Sequence, residues 1–113
     1  MNCINWDHLQ WDAVMPGVRR KVVHADSFTM VLVELDPGID TPAHTHPHEQ
    51  ATMVQEGSVA FTIQGETRIV GPGDVIRIPP DVEHGAVAQG KSALLIDLFV
   101  PQRDEFPSSA MKV

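Results

Sequence analysis

The sequence predicts an all-β domain, built as a sandwich or a barrel. Short runs rich in Val, Ile, Thr and Phe follow one another at near-regular spacing through most of the chain. Turn-forming residues, mainly Gly and Pro, separate these runs. No stretch has a convincing helical period beyond a possible turn at residues 6–11. Together these observations favour many short strands over a helical or mixed fold.

Seven strands are predicted in order along the chain, and each is bounded by turn chemistry. They cover residues 18–23, 28–35, 50–55, 59–64, 67–70, 75–78 and 93–100. The turn signals that separate them are Pro37-Gly38, Glu56-Gly57-Ser58, Gln64-Gly65-Glu66, Gly71-Pro72-Gly73, Pro79-Pro80-Asp81 and Gln89-Gly90-Lys91. A solvated face is the favoured interpretation of the basic run Arg19-Arg20-Lys21, although such a run can also bind an anion.

Size, charge and cysteine content limit the function classes. A chain of 113 residues is one domain, predicted at residues 1–106, with a flexible tail at 107–113. A net charge of −7 makes nucleic acid and anionic membranes poor partners. The single cysteine, Cys3, cannot form an internal disulfide, and no signal peptide or membrane-length apolar run is visible. We therefore expect a cytoplasmic protein that binds neither nucleic acid nor a membrane.

Three histidines and a glutamine predict a metal site. His44 and His46 form an H-x-H pair, and on an extended segment both imidazoles lie on one face. His84, arriving from a distant strand, would complete a facial set that can hold one divalent transition metal ion, with Gln50 nearby. Zn, Ni, Mn, Fe and Co all suit imidazole-rich sites. Each histidine taken alone could equally be a surface or structural residue.

The spacing of these residues resembles the two motifs of the cupin superfamily. Gly38, His44, His46, Gln50 and Gly57 match the first motif, which usually has Glu at the position of Gln50. The second motif is matched by Gly73, Pro79 and His84, but Asp81 stands where Gly is usual and Ala88 where Asn is usual. The resemblance implies a double-stranded β-helix, or jelly roll, with a metal inside the barrel near one mouth. It also implies a homodimer.

Longer segments are similar to the KdgF-type pectin-degradation cupins. These segments are residues 17–22, 44–50, 78–86 and 97–106. The resemblance implies a small sugar acid as substrate, a 4,5-unsaturated uronate whose ring is opened to a linear keto sugar acid. It implies metal ligation by His44, His46, Gln50 and His84. It also implies that Asp97 is the catalytic carboxylate, and that Phe99 and Arg103 line the substrate site.

The chemistry of two residues supports this interpretation independently. Gln50 adds no negative charge to three neutral imidazoles, so a bound divalent ion would stay a strong Lewis acid. Asp97 is a lone carboxylate on an apolar strand, where burial and nearby charges can bring its pKa close to a working acid–base value. The alternatives are a Gln50 that only hydrogen-bonds in the barrel wall and an Asp97 paired with Arg103 or Arg77.

The expected activity is therefore an isomerisation or tautomerisation that needs no redox cofactor. One rival is another metal-dependent cupin enzyme, a dioxygenase or a lyase, which oxygen consumption with Fe(II) would separate. The other rival is a non-catalytic cupin that binds a small molecule. Fold alone does not distinguish these functions.

Overall fold

Two antiparallel β-sheets pack against each other in this protein, and the computed structural model describes them within residues 1–106. The predicted tail at 107–113 lies outside the described residues. The strands of the described part are β1 (Asp12–Met15), β2 (Val18–His24), β3 (Thr29–Leu35), β4 (Asp40–His44), β5 (Glu49–Glu56), β6 (Val59–Ile63), β7 (Glu66–Val70), β8 (Val75–Ile78), β9 (His84–Ala88) and β10 (Ala93–Val100). One sheet has the order β1-β2-β3-β10-β5-β8, and the other has the order β4-β9-β6-β7. The predicted all-β jelly roll is confirmed.

The predicted strands are all present, and their ends shift by at most one residue. The possible turn near the N-terminus is a short 3-10 helix, Trp6–His8. Three strands were not predicted from the sequence: β1, β4 and β9. Pro42 in β4 cannot donate to a neighbouring strand and is tolerated because β4 lies at a sheet edge. Strand β9 is rich in Ala and Gly, which are poor strand formers, so its apolar pattern is weak.

The hydrophobic core lies between the two sheets. Its main cluster consists of Val18, Leu35, Val54, Val59, Phe61, Val70, Ile78, Ala86, Ala88, Ala93 and Leu95. A smaller cluster contains Val22, Val31 and Phe99, with Phe106 packed against it. Removing these side chains from water is the main contribution to folding stability. No helix within residues 1–106 is long and apolar enough to cross a membrane.

Strand pairing places the predicted site residues next to one another. Strands β4 and β9 run antiparallel with His44 directly opposite His84. Strands β5 and β10 are also antiparallel, with Thr52 opposite Asp97 and Gln50 opposite Phe99. Side chains directly opposite on an antiparallel pair lie on the same face and touch. The two sheets therefore present histidines from one side and polar residues of β5 and β10 from the other.

Candidate functional site

The three predicted histidines form a compact cluster. Their candidate ligand atoms all lie within 4.8 Å of one another. The ring centroids of His44 and His84 are 4.3 Å apart, and those of His46 and His84 are 4.8 Å apart. His46 and His84 are buried, whereas His44 is exposed. The structure thus brings together residues that are 40 positions apart in the chain, since His44 and His84 are cross-strand partners, and the group can hold a metal ion.

Local backbone contacts fix the tautomer of each ring. The Nδ1 of His44 donates to the carbonyl of Pro42 at 3.0 Å, and the Nδ1 of His84 donates to the carbonyl of Val82 at 2.9 Å. The Nδ1 of His46 donates to the carbonyl of residue 48 at 3.0 Å. A carbonyl oxygen can only accept, so each Nδ1 carries the proton. In a neutral ring Nε2 then keeps its lone pair for a metal.

The Nε2 atoms of His46 and His84 have no hydrogen-bond donor that would satisfy their lone pairs. The Nε2 of His84 is buried and has no hydrogen-bond partner among the described residues. The Nε2 of His46 lies 2.9 Å from Oε1 of Gln50. Burial lowers the pKa of both His46 and His84, which favours the neutral ring. Two lone pairs then face each other between His46 and Gln50, and a cation bound by both would relieve that contact. The donor set fits a divalent metal.

A hydrogen-bonded chain links Gln50 to Asp97 through Thr52. The hydroxyl of Thr52 donates to Oδ1 of Asp97 at 2.6 Å. Because that hydroxyl has one proton, it must accept from the amide Nε2 of Gln50, which lies at 2.9 Å. The amide oxygen of Gln50 is thereby turned toward His46. Thr52 has no exposed surface, so water does not compete for these bonds.

Asp97 has the environment of a proton-exchanging group. Burial raises its pKa to about 6, although hydrogen bonds from Thr52 and Gln50 and the charges of His44 and Arg103 oppose the shift. Within the described chain Asp97 forms no salt bridge: Arg77 pairs with Glu49, and Arg103 pairs with Glu105. The predicted alternative, a structural ion pair of Asp97 with either arginine, is therefore wrong.

Phe99 and Arg103 contact each other at the site. Phe99 is buried and meets the ring of His46 edge-on at a centroid distance of 5.5 Å. The guanidinium of Arg103 lies 4.9 Å from the centroid of Phe99 and 4.1 Å from that of Phe106. Its Nε donates to Glu105 at 2.8 Å. Aromatic faces attract a guanidinium, so the rings fix the position of this charge.

Most of these groups line one cavity of about 260 Å³, although His46 and Thr52 are not among its lining residues. Its polar lining consists of Arg20, Thr41, His44, Gln50, His84, Asp97 and Arg103. The remaining lining is largely aliphatic and aromatic. This volume is small for a ligand pocket and suits one monosaccharide-sized molecule rather than a polymer segment.

Comparison with known proteins agrees with this geometry. Residues 31–100 match the family model for the cupin domain. The pectin degradation protein KdgF of Dickeya dadantii is 33% identical over 102 residues, which cover 88% of this chain and 93% of that protein. The chain belongs to the cupin family. Within the family it resembles the KdgF proteins.

Solved cupin structures share the fold over almost the whole chain. KdgF from Halomonas sp. has a TM-score of 0.84 and 38% identity, covering 90% of this chain and 94% of its own. An RmlC-like cupin from Shewanella frigidimarina has a TM-score of 0.86 and 28% identity, covering 92% and 94%. The polyketide cyclase RemF from Streptomyces resistomycificus has a TM-score of 0.80 and 27% identity, covering 96% and 87%.

The structure explains one departure from the cupin motifs. Asp81, where the second motif usually has Gly, adopts a φ of 62° in the left-handed region. Asp is among the few residues other than Gly that visit this region readily. Its backbone N–H donates to the carbonyl of His46 at 2.8 Å, which ties the two motif loops together. The substitution therefore keeps the turn that the cupin motif requires.

Three residues of the cupin site were not predicted from sequence. Thr52 follows Gln50 by two positions on β5, and strand alternation could have placed it on the same face. Arg20 lies between Val18 and Val22 on the inward face of β2, which alternation could also have shown. Phe106 follows the last strand, and no periodic signal marks it.

Proposed function

We propose that this cupin is a metal-dependent enzyme that opens 4,5-unsaturated uronates to linear keto sugar acids. The observation that carries the proposal is the Asp97 carboxylate, which lines the cavity and is linked through Thr52 to Gln50, beside the cluster of three histidines. The two KdgF relatives support the substrate class, because one is named as a pectin degradation protein. The proposed reaction class is an isomerisation, because substrate and product contain the same atoms and only bonds and one proton are rearranged.

We propose His44, His46, Gln50 and His84 as ligands of one divalent transition metal. Nε2 of each histidine and Oε1 of Gln50 are the donor atoms left free by the bonds described above. Such an ion supplies Lewis acidity toward substrate oxygens, and four neutral ligands leave its charge undiminished.

In this proposal Asp97 moves the proton. As a carboxylate it accepts the proton of the anomeric hydroxyl. The bond between the anomeric carbon and the ring oxygen then breaks, and the anomeric carbon and its oxygen become an aldehyde. The electron pair of that bond stays on the former ring oxygen as an enolate. Asp97 then returns the proton to the far carbon of the double bond, which yields the keto acid. A carboxylate with a pKa about 6 can both accept and release a proton near neutral pH.

Arg103 and Phe99 have binding roles in the proposal. The guanidinium of Arg103 pairs with the substrate carboxylate, a contact for which its planar fork is suited. Phe99 forms an apolar wall beside His46 and holds Arg103 in place through its ring face. Neither side chain exchanges a proton.

An ultraviolet assay tests the proposal. The conjugated double bond of unsaturated galacturonate absorbs, and its absorbance disappears on ketonisation. Metal analysis of the purified protein accompanies the assay, followed by chelation and reloading. Loss of absorbance that depends on metal supports the proposal. Unchanged absorbance with fully loaded protein would contradict it, and oxygen uptake with Fe(II) would identify a dioxygenase instead.

A homodimer and a cytoplasmic location remain predictions. The edge strand β1 exposes Val14 and Met15, and Trp11 beside it is also exposed. An edge strand with exposed apolar side chains is suited to pairing with a second copy. Light scattering of the eluted protein measures its mass and tests the dimer.

A further inference from the structure

The basic run in β2 divides between the two faces of the sheet. Arg19 points away from the core and pairs with Glu34 and Asp36. Lys21, two positions further along the same face, donates to the carbonyl of Trp6 at 2.8 Å. The solvated-face interpretation thus fits Arg19, whereas Lys21 is buried under the N-terminal segment. The residue between them has a different environment.

Arg20 points into the cavity. It shares the inward face of β2 with Val18 and Val22, which belong to the two core clusters, and it lines the same cavity as Asp97. Its Nε is buried without a hydrogen-bond partner, and none of the ion pairs of residues 1–106 includes it. Asp12 lies opposite on β1 but forms no ion pair with it. A desolvated donor without a partner costs free energy that a ligand could recover.

The ring of Phe106 contacts two guanidiniums. Arg20 lies 4.2 Å from the centroid of its ring, and Arg103 lies 4.1 Å from it. Arg103 already uses its Nε on Glu105, whereas Arg20 has no such partner. Burial and the charge of Arg103 lower the pKa of Arg20, whereas the charges of Asp12 and Glu105 oppose this shift. An anion that contacts Arg20 would stabilise its charge.

Two arginines and one carboxylate line the cavity. Asp97 is the one carboxylate among the described lining residues, against Arg20 and Arg103, although the whole chain carries a net charge of −7. Arg103 already pairs with Glu105, so Arg20 is the lining arginine that has no ion pair within residues 1–106. The two arginines come from different parts of the chain, Arg20 from β2 and Arg103 from the segment after β10.

We propose that Arg20 is a substrate-binding residue that pairs with the carboxylate of the sugar acid, jointly with Arg103. The inference rests on the proposed function for its substrate class. It assigns to Arg20 a fork-like contact through its guanidinium, whose buried Nε has no hydrogen-bond partner among the described residues. Arg20 takes no part in the proton transfer, so its loss acts on substrate affinity rather than on the chemical step.

The test compares Arg20→Gln with Arg19→Gln on unsaturated galacturonate. Both variants lose one positive charge from the same strand, so a general electrostatic effect would appear in both. We expect Arg20→Gln to raise KM by roughly 10- to 100-fold, the usual range for a charge-assisted bond, with kcat changed less than about threefold. Arg19→Gln keeps the wild-type KM. An equal KM in all three proteins, or an equal rise in both variants, would overturn the proposal.

A binding measurement tests the role of Arg20 independently of the ring-opening reaction. Calorimetry with zinc-loaded protein compares galacturonate, which carries the carboxylate but no double bond, with galactose, which lacks the carboxylate. We expect wild type to prefer galacturonate and Arg20→Gln to lose that preference, at unchanged zinc content. A preference that survives in Arg20→Gln, or is absent in wild type, overturns the role of Arg20. An inactive wild type that still shows the preference would refute only the ring-opening reaction.

Discussion

Changing Asp97 to Asn tests the central residue of the proposed chemistry. The substitution is nearly isosteric, and the amide oxygen can still accept the 2.6 Å bond from Thr52. If Asp97 carries the proton, activity of the metal-loaded variant falls by about 100-fold or more. The variant should keep its fold and its metal, because the substitution leaves all four proposed ligands in place.

The same substitution should stabilise the metal-free protein at neutral pH. Burial raises the pKa of Asp97 from 3.8 to about 6, so the folded state binds its proton more tightly than the unfolded state. Above pH 6 the ionised carboxylate therefore destabilises the fold, by about 3 kcal/mol at 1.36 kcal/mol per pH unit. This penalty shrinks as the pH falls below 6 and is absent below about pH 4. The amide of the variant carries no such penalty at any pH.

Urea unfolding in the presence of a chelator measures this effect. At pH 7.5 Asp97→Asn should be the more stable protein by up to about 3 kcal/mol, and at pH 4 the two proteins should be alike. Thr52→Ser, which keeps the hydroxyl, serves as a control for general disturbance of the site. Equal stability of the variant and wild type at pH 7.5 would show that the ionised carboxylate of Asp97 does not destabilise the fold. A metal-loaded Asp97→Asn variant with near-normal turnover would refute its catalytic role.

Three further predictions concern the metal and its neighbours. His46→Ala should remove most bound metal and lower the melting temperature of the loaded protein, because metal stabilises only the folded state; unchanged metal in a His44→Ala, His84→Ala double variant would contradict this ligand set. Gln50→Glu should keep or tighten metal binding while activity falls, because the added charge weakens the Lewis acid; full activity would show that the neutral amide is unimportant. Thr52→Val should weaken metal binding by roughly 10- to 100-fold, as loss of a group that orients a ligand usually does, while Thr52→Ser restores it. Calorimetric titration with zinc measures the last effect, and equal affinities of the two variants would contradict it.

The strands and the histidine cluster could be predicted because each depends on short-range patterns. Alternating apolar residues mark β3 and β10, and the spacing of His44 and His46 is visible in one short segment. Strand β9 escaped prediction because its pairing with β4 and β6, rather than its own composition, holds it extended.

Contacts between side chains on different strands could not be predicted, for a different reason. The bond from Thr52 to Asp97 depends on the register of β5 against β10, and one strand alone does not specify its partner. The inward direction of Arg20, by contrast, follows from strand alternation, which places it on the same face as Val18 and Val22. The basic run was nevertheless interpreted as one surface, although its middle member lines the cavity.

The backbone carbonyls that orient the three histidines all lie close to them in the chain. The Nδ1 of each ring donates to a carbonyl only two residues away. Val33 and Leu95 line the cavity and take no part in these bonds. A library randomised at such positions should yield variants that differ in substrate range and share one intact metal centre. Under the proposed function, changes in the lining alone would then produce new specificities.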